Sequence, residues 1–298
     1  MTESLYHANR IEEARRLLDI AINFREGGWG VKAKRFASRA LAIFEREYGA
    51  YHPDVVPVLL CLAGAREDLA DYARAGADYR RANDILDLSD DSQSLEMQRR
   101  RIQTLRGLAN VTRALGQSRQ AETILKEAVA IAERAFGRRD VGVADTDPTL
   151  RAKHGDVASA LNDLAVHYRH SGAYETASSL HHRALAIAEQ ALGPDHAQTA
   201  TILHQLGILE QARGQFASGE QFARRSAEIQ QKTFGPDHPQ LAAELAMVAS
   251  LLDAQGKHEE AKPIQRRAAT ITERWFGPDH HEVATTPGVE ELETLRIA

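Results

Sequence analysis

One five-residue phrase recurs in this chain at a fixed interval. Leu192-Gly193-Pro194-Asp195-His196 returns as Phe234-Gly235-Pro236-Asp237-His238 and again as Phe276-Gly277-Pro278-Asp279-His280, with the glycines 42 residues apart each time. A period of this size marks one supersecondary unit that cannot bury its apolar face alone and stacks on its neighbours. Such an array has a continuous core however long it grows. The 298 residues are therefore read as a single solenoid over 1–298, not as two globular domains. Hydrophobic residues are 43% of the chain and aromatics only 6%, a balance that suits close helix-on-helix packing and points to an all-α fold.

The unit is legible in the copy from His154 to Gly193. Val157, Leu161, Leu164, Ala165 and Tyr168 fall on one face of a first helix. Ser171-Gly172 breaks it, and a second helix buries Tyr174, Ala177, Leu180, Ala184, Leu185 and Ile187. Gly193 ends that helix in a left-handed cap, Pro194 forbids its continuation, and Asp195 or His196 N-caps the next one. The columns persist along the chain. Leu164 aligns with Ile20, Leu62, Leu108, Leu206 and Val248, and the turn glycine Gly172 with Gly28, Gly116, Gly214 and Gly256, Ala70 standing in its place in the second copy. Two small-residue columns follow, Ala33/Ala75/Ala121/Ala177/Gly219/Ala261 and Ala40/Ala82/Ala128/Ala184/Ser226/Ala268. They let two helices approach closely. Six copies result, at about 11–49, 52–90, 94–137, 154–193, 196–235 and 238–277, with an inserted loop at 138–153. The remainder, 281–298, is read as a C-terminal cap with a helix over about 286–296: Thr286-Pro287 starts it, and Val289, Leu292 and Leu295 pack on the sixth copy.

The pattern Leu-x-x-Leu-Ala-x-x-Tyr, then Gly-x-Tyr-x-x-Ala, then Ala-Leu-Ala-Ile, resembles the tetratricopeptide repeat. The 42-residue period and the Gly-Pro-Asp-His junction are similar to its kinesin-light-chain-like subtype, over about residues 11–284. The resemblance implies an α-solenoid of about six helical hairpins in a right-handed superhelix. It also implies a concave groove, lined by the first helices, that holds an extended peptide.

Chemistry finds little support. Cys61 is the only cysteine, so no disulfide or cysteine-based metal site forms within one chain. His167-x-x-His170 and His181-His182 lack a third ligand, and the junction histidines belong to separate repeats. Gly27-Gly-Trp-Gly-Val-Lys32 lacks the Gly-Lys-Ser/Thr ending of a phosphate loop and sits between two helices. The expectation is a non-enzyme with no cofactor and no metal. A net charge of −5 gives no general pull toward nucleic acid, and no aromatics interleave with the arginines as single-strand binding requires. No apolar run reaches membrane-spanning length and no signal peptide begins the chain, so the expected location is the cytoplasm.

Residues just off the buried stripe of the first helices are the expected groove: Gln103, Arg106, Asn110 and Arg113 in the third copy, Asn162, Arg169 and His170 in the fourth, His204 and Gln211 in the fifth. The first copy offers Arg15, Leu18, Ile22 and Arg25. Asn and Gln satisfy a peptide backbone in both directions, and arginines pair with carboxylates. The expected partner is a protein or an extended, acidic peptide held across copies three to five. The alternatives are a peptide-sensing regulator and a scaffold that self-associates.

Overall fold

The computed structural model describes residues 2–89, 94–136 and 148–277. The described residues form twelve α-helices, taken in pairs. They are α1 (Thr2–Glu26) with α2 (Gly30–Tyr48), α3 (Val56–Asp68) with α4 (Tyr72–Asp87), α5 (Leu95–Ala114) with α6 (Ser118–Phe136), α7 (Pro148–His170) with α8 (Tyr174–Ala191), α9 (Ala197–Ala212) with α10 (Phe216–Phe234), and α11 (Pro239–Ala254) with α12 (His258–Phe276). Two compact units contain them. The first, Met1–Arg138, holds α1 to α6, and the second, Arg139–Ala298, holds α7 to α12. In each unit consecutive helices pack as hairpins and each hairpin packs on the next.

The turn inside every hairpin needs a left-handed residue. Gly28, Gly116, Gly172, Gly214 and Gly256 supply it at φ 74 to 79°, and Ala70 supplies it at φ 55° in the second hairpin, against the steric preference of its Cβ. The small columns are buried as expected. Ala33, Ala75, Ala121, Ala177 and Ala261 are fully covered, and a Cβ on Gly219 would lie 3.1 Å from the Gly207 carbonyl oxygen. In the second column Ser226 is the one polar member, and its hydroxyl donates to the Ala200 carbonyl at 2.9 Å, so its burial leaves nothing unsatisfied.

Between hairpins, the histidine rather than the aspartate caps the incoming helix. His196 Nδ1 accepts from Gln198 N at 3.1 Å and His238 Nδ1 from Gln240 N at 3.2 Å; His52 does the same for Asp54 N at 3.2 Å. The aspartates face sideways: Asp195 accepts from Lys232 Nζ at 3.1 Å, and Asp237 lies 3.6 Å from Arg274. Gly193 has the expected positive φ. Gly235 and Gly277 take φ 93° with ψ 172° and φ 85° with ψ 158° instead of a left-handed helical cap, an extended region open only to glycine.

Two boundaries differ from expectation. α1 begins at Thr2 because nothing in its first turns breaks a helix, and its His7 Nδ1 lies 2.6 Å from the Glu47 carboxylate of α2. α7 begins at Pro148, so the last six residues of the expected loop 138–153 are helical; proline's fixed φ suits a first helical position. The rest of that loop and the expected cap at 281–298 lie outside the described residues. In the first unit Leu59, Leu62, Ile85 and Leu86 are fully buried, as are Leu161, Leu203, Leu206 and Leu241 in the second, each worth about 2 kcal/mol of transfer free energy. α3 is buried almost all round, from Val58 to Ala65 without a break, as a helix enclosed by neighbours must be.

Candidate peptide-binding face

The first helices of successive hairpins meet on one face of each unit. In the first unit α1, α3 and α5 touch directly and leave between them a cavity of about 420 Å3. Pro57, Leu60 and Cys61 of α3 form its apolar floor, and Ile22 of α1, 39% exposed, is an apolar wall. Burial raises the Cys61 thiol pKa, only partly countered by nearby Arg25, so this side chain is a neutral, small hydrophobe.

Two arginines flank the floor, each already engaged. Arg25 Nε donates to Asp68 at 3.2 Å, and Arg100 Nε donates to Glu96 at 2.9 Å. Arg25 owes its position to Gly64, where an added Cβ would overlap the guanidinium. Arg100 Nη1 is out of solvent and has no hydrogen-bond acceptor. Glu26 and Gln103 complete the lining.

Of the residues expected on α5, Gln103 is therefore at the cavity. Arg106, Asn110 and Arg113 lie farther along the same helix and are half-buried. Arg113 is among the charges that act on Glu67, whose pKa is raised chiefly by burial and lowered by the 2.6 Å hydrogen bond it accepts from Tyr79 Oη. Tyr79 has room because α5 carries Gly107 opposite its ring. The run Arg99-Arg100-Arg101 is offset from within: besides Arg100–Glu96, Arg101 lies 2.6 Å from Asp87 and 3.7 Å from Glu127.

In the second unit the corresponding face is tied by its own side chains. Gln198 of α9 donates to the Gly155 carbonyl and, at 2.7 Å, to Ser159 Oγ, both on α7. His204 Nδ1 of α9 lies 3.0 Å from the buried Glu244 carboxylate of α11. Gln211 Nε2 donates to Ser250 Oγ at 3.1 Å. Two of the expected groove residues, His204 and Gln211, are thus rungs between helices. Asn162 is only 7% exposed, with no hydrogen-bond partner for Oδ1. Arg169 is half-buried, with Nη2 3.2 Å from Nε2 of the exposed His170.

The histidines of α7 and α8 do not converge. His167 and His181 are buried, whereas His170 and His182 are exposed. Among the described residues no group of three or more His, Cys, Asp or Glu could hold a metal ion. His181 is 0% exposed with neither ring nitrogen hydrogen-bonded, and burial, reinforced by Arg169 and His182, lowers its pKa to about 4. It is a neutral imidazole in the core. No helix of the described residues is long and apolar enough to cross a membrane.

Sequence reasoning named Ile22, Arg25 and Gln103 but missed Leu60 and Cys61 as lining. Gly64, a glycine inside an apolar helix, was the available sign that a neighbour lies against that helix.

Tetratricopeptide repeat family models match residues 156–218 and 203–274, and a second such model matches 101–141, together more than half of the chain. No curated protein matches it by sequence. Among solved structures it is similar to BtubC (BKLC) from P. vanneervenii, at 18% identity and a TM-score of 0.59 over 91% of this chain and 92% of that one. It is also similar to a putative kinesin light chain with nearly identical TPR-like repeats from Podosopora anserina, at 22% identity and a TM-score of 0.53 over 75% and 97%. A Rap protein complexed with Competence and Sporulation Factor matches at 18% identity and a TM-score of 0.56, over 89% of this chain and 65% of that one. The matched residues, the 42-residue period and the shared hairpin fold make this chain a member of the tetratricopeptide repeat family, with a fold of the kinesin-light-chain-like type.

Proposed function

We propose that this protein is a non-catalytic interaction module that holds an extended segment of a partner protein against its first helices. The observation that carries the reading is the cavity between α1, α3 and α5, which joins an apolar floor to polar side chains able to hold a backbone. Gln103 stands at the cavity, and Arg106, Asn110 and Arg113 continue along α5 as its extension. In the second unit Arg169 and His170 of α7 are the polar residues assigned to a partner, while His204 and Gln211 bond to α11 and Asn162 is left to the interior.

The test is site-specific photocross-linking in cells of the source organism, with the reactive side chain at Gln103 or, on the second helix of the same hairpin, at exposed Ala130. A partner joined from position 103 and not from 130 supports the reading. Cross-links from 130 alone, or equally from both, would place recognition elsewhere.

A further inference from the structure

The cavity between α1, α3 and α5 also says what kind of side chain belongs in it. Its charges balance: Arg25 and Arg100 line it together with Glu26 and Glu96. Each guanidinium already donates through Nε to a carboxylate, Asp68 or Glu96. A further carboxylate would compete with one of these for a charge already neutralised and would meet Glu26, which lines the same cavity. A cationic side chain would meet the two arginines. A carboxylate would share guanidiniums that are already neutralised, and a cation would set the exposed Glu26 against two arginines, so either ion would lose water for little return.

The floor has the opposite character. Pro57, Leu60 and Cys61 offer only carbon and a thiol, and Ile22 extends that surface toward solvent. Apolar area placed there is favoured by about 25 cal/mol per Å2. The polar groups at the rim suit a peptide backbone. Gln103 is exposed and carries both a donor and an acceptor. Arg100 Nη1, already shielded from water, has no acceptor, and a small movement of either partner gives it a carbonyl oxygen. At about 420 Å3 the space is larger than one side chain and takes the flanking backbone as well.

We infer that this cavity is the anchor pocket for one uncharged aliphatic side chain, of Leu, Ile or Met, on an extended peptide segment whose backbone is held by Gln103 and Arg100. This rests on the interaction-module reading above and narrows it: the anchor is apolar and its binding is insensitive to salt, unlike the acidic segment that the arginine content suggests.

The probe is a random peptide library displayed on phage and panned against the full chain, with the selected peptides resynthesised for calorimetry. The expected result is a shared aliphatic residue without a charged neighbour in common. Ile22→Glu then weakens binding about tenfold or more, a loss of about 1.4 kcal/mol or more. Raising NaCl from about 0.05 M to about 0.5 M changes Kd less than about twofold. Gln103→Ala, at a solvated position that does not carry the fold, weakens binding severalfold and keeps the test valid if Ile22→Glu misfolds by circular dichroism. Ala130→Glu, exposed on the second helix of the third hairpin, leaves affinity unchanged. Peptides that share carboxylates and lose affinity about tenfold over the same salt range would overturn the uncharged anchor. Peptides indifferent to Ile22→Glu and Gln103→Ala would move recognition off this pocket while leaving an interaction module standing. Enrichment of no peptide would overturn both.

Discussion

The same columns of the repeat build opposite faces in the two units. With the turn residues aligned, Arg25, Leu60 and Arg100 of the first unit stand where Gln211, His204 and Gln198 stand in the second. In the first unit they border a cavity; in the second they are the three side chains that tie α7, α9 and α11 together. The amides and the imidazole reach a neighbouring first helix, α7 or α11, and bond to it. An aliphatic side chain cannot, and each arginine turns to a carboxylate on its own or the following repeat. Openness of the face is thus decided by a few side chains on a backbone that does not change its plan.

The largest effect separating the units is expected at His204. His204→Leu installs the first unit's residue and leaves the buried Glu244 carboxylate without its partner, at a cost of about 2–3 kcal/mol; chemical denaturation reads it as a lower midpoint with an unchanged slope. An unchanged midpoint would mean the rung is ornamental and the comparison fails.

Next is acid. Tyr79 and His181 share a column, but Tyr79 donates to Glu67 whereas His181 has no partner at either nitrogen. The folded pKa of His181 is depressed from 6.5 to about 4, so the folded state takes up its proton later than the unfolded chain. The associated stability is complete above pH 6.5 and drains away as pH falls toward 4. The loss reaches about 2 kcal/mol near pH 5. His181→Leu, matching Leu125 in the same column, is expected to flatten that slope in thermal melts between pH 7 and pH 5 and to raise stability at neutral pH. A slope unchanged in the variant would assign the acid lability to other groups, such as the neutral His238 cap, whose pKa is also lowered by burial.

A smaller effect tests the turn column. Ala70→Gly replaces the one non-glycine left-handed residue of the described chain and is expected to stabilise by about 0.5–1 kcal/mol, read as a higher Tm. The smallest belongs to the open face. Gln103→Ala is expected to shift the unfolding free energy by less than about 0.5 kcal/mol, because its exposed side chain carries little of the fold.

The helices, turn glycines and small columns were legible because they recur: Gly28, Gly116, Gly172, Gly214 and Gly256 each vouch for the others. The role of the junction histidines as caps was legible for the same reason, though the choice between Asp195 and His196 needed geometry. What does not recur was hidden. Leu60 and Cys61 sit in a run that is apolar on every side, and periodicity alone reads such a run as core throughout. Only the arrival of Ile22 from the preceding hairpin and Gln103 from the following one makes part of it a floor. Asn162 fails in the other direction: next to Leu161 and between Ala158 and Ala165, its place on the helix is already interior.

The side pairs at the junctions have a genealogical consequence. Asp195 meets Lys232, and Asp237 meets Arg274, each 37 residues downstream. Excision of residues 196–237, one full period, would set His238 behind Asp195 and bring Arg274 to the place Lys232 held. The splice would inherit a capped helix and a closed ion pair without any new mutation. Unequal exchange between copies could therefore lengthen or shorten this array by whole hairpins, and the junction chemistry would not record that it had happened.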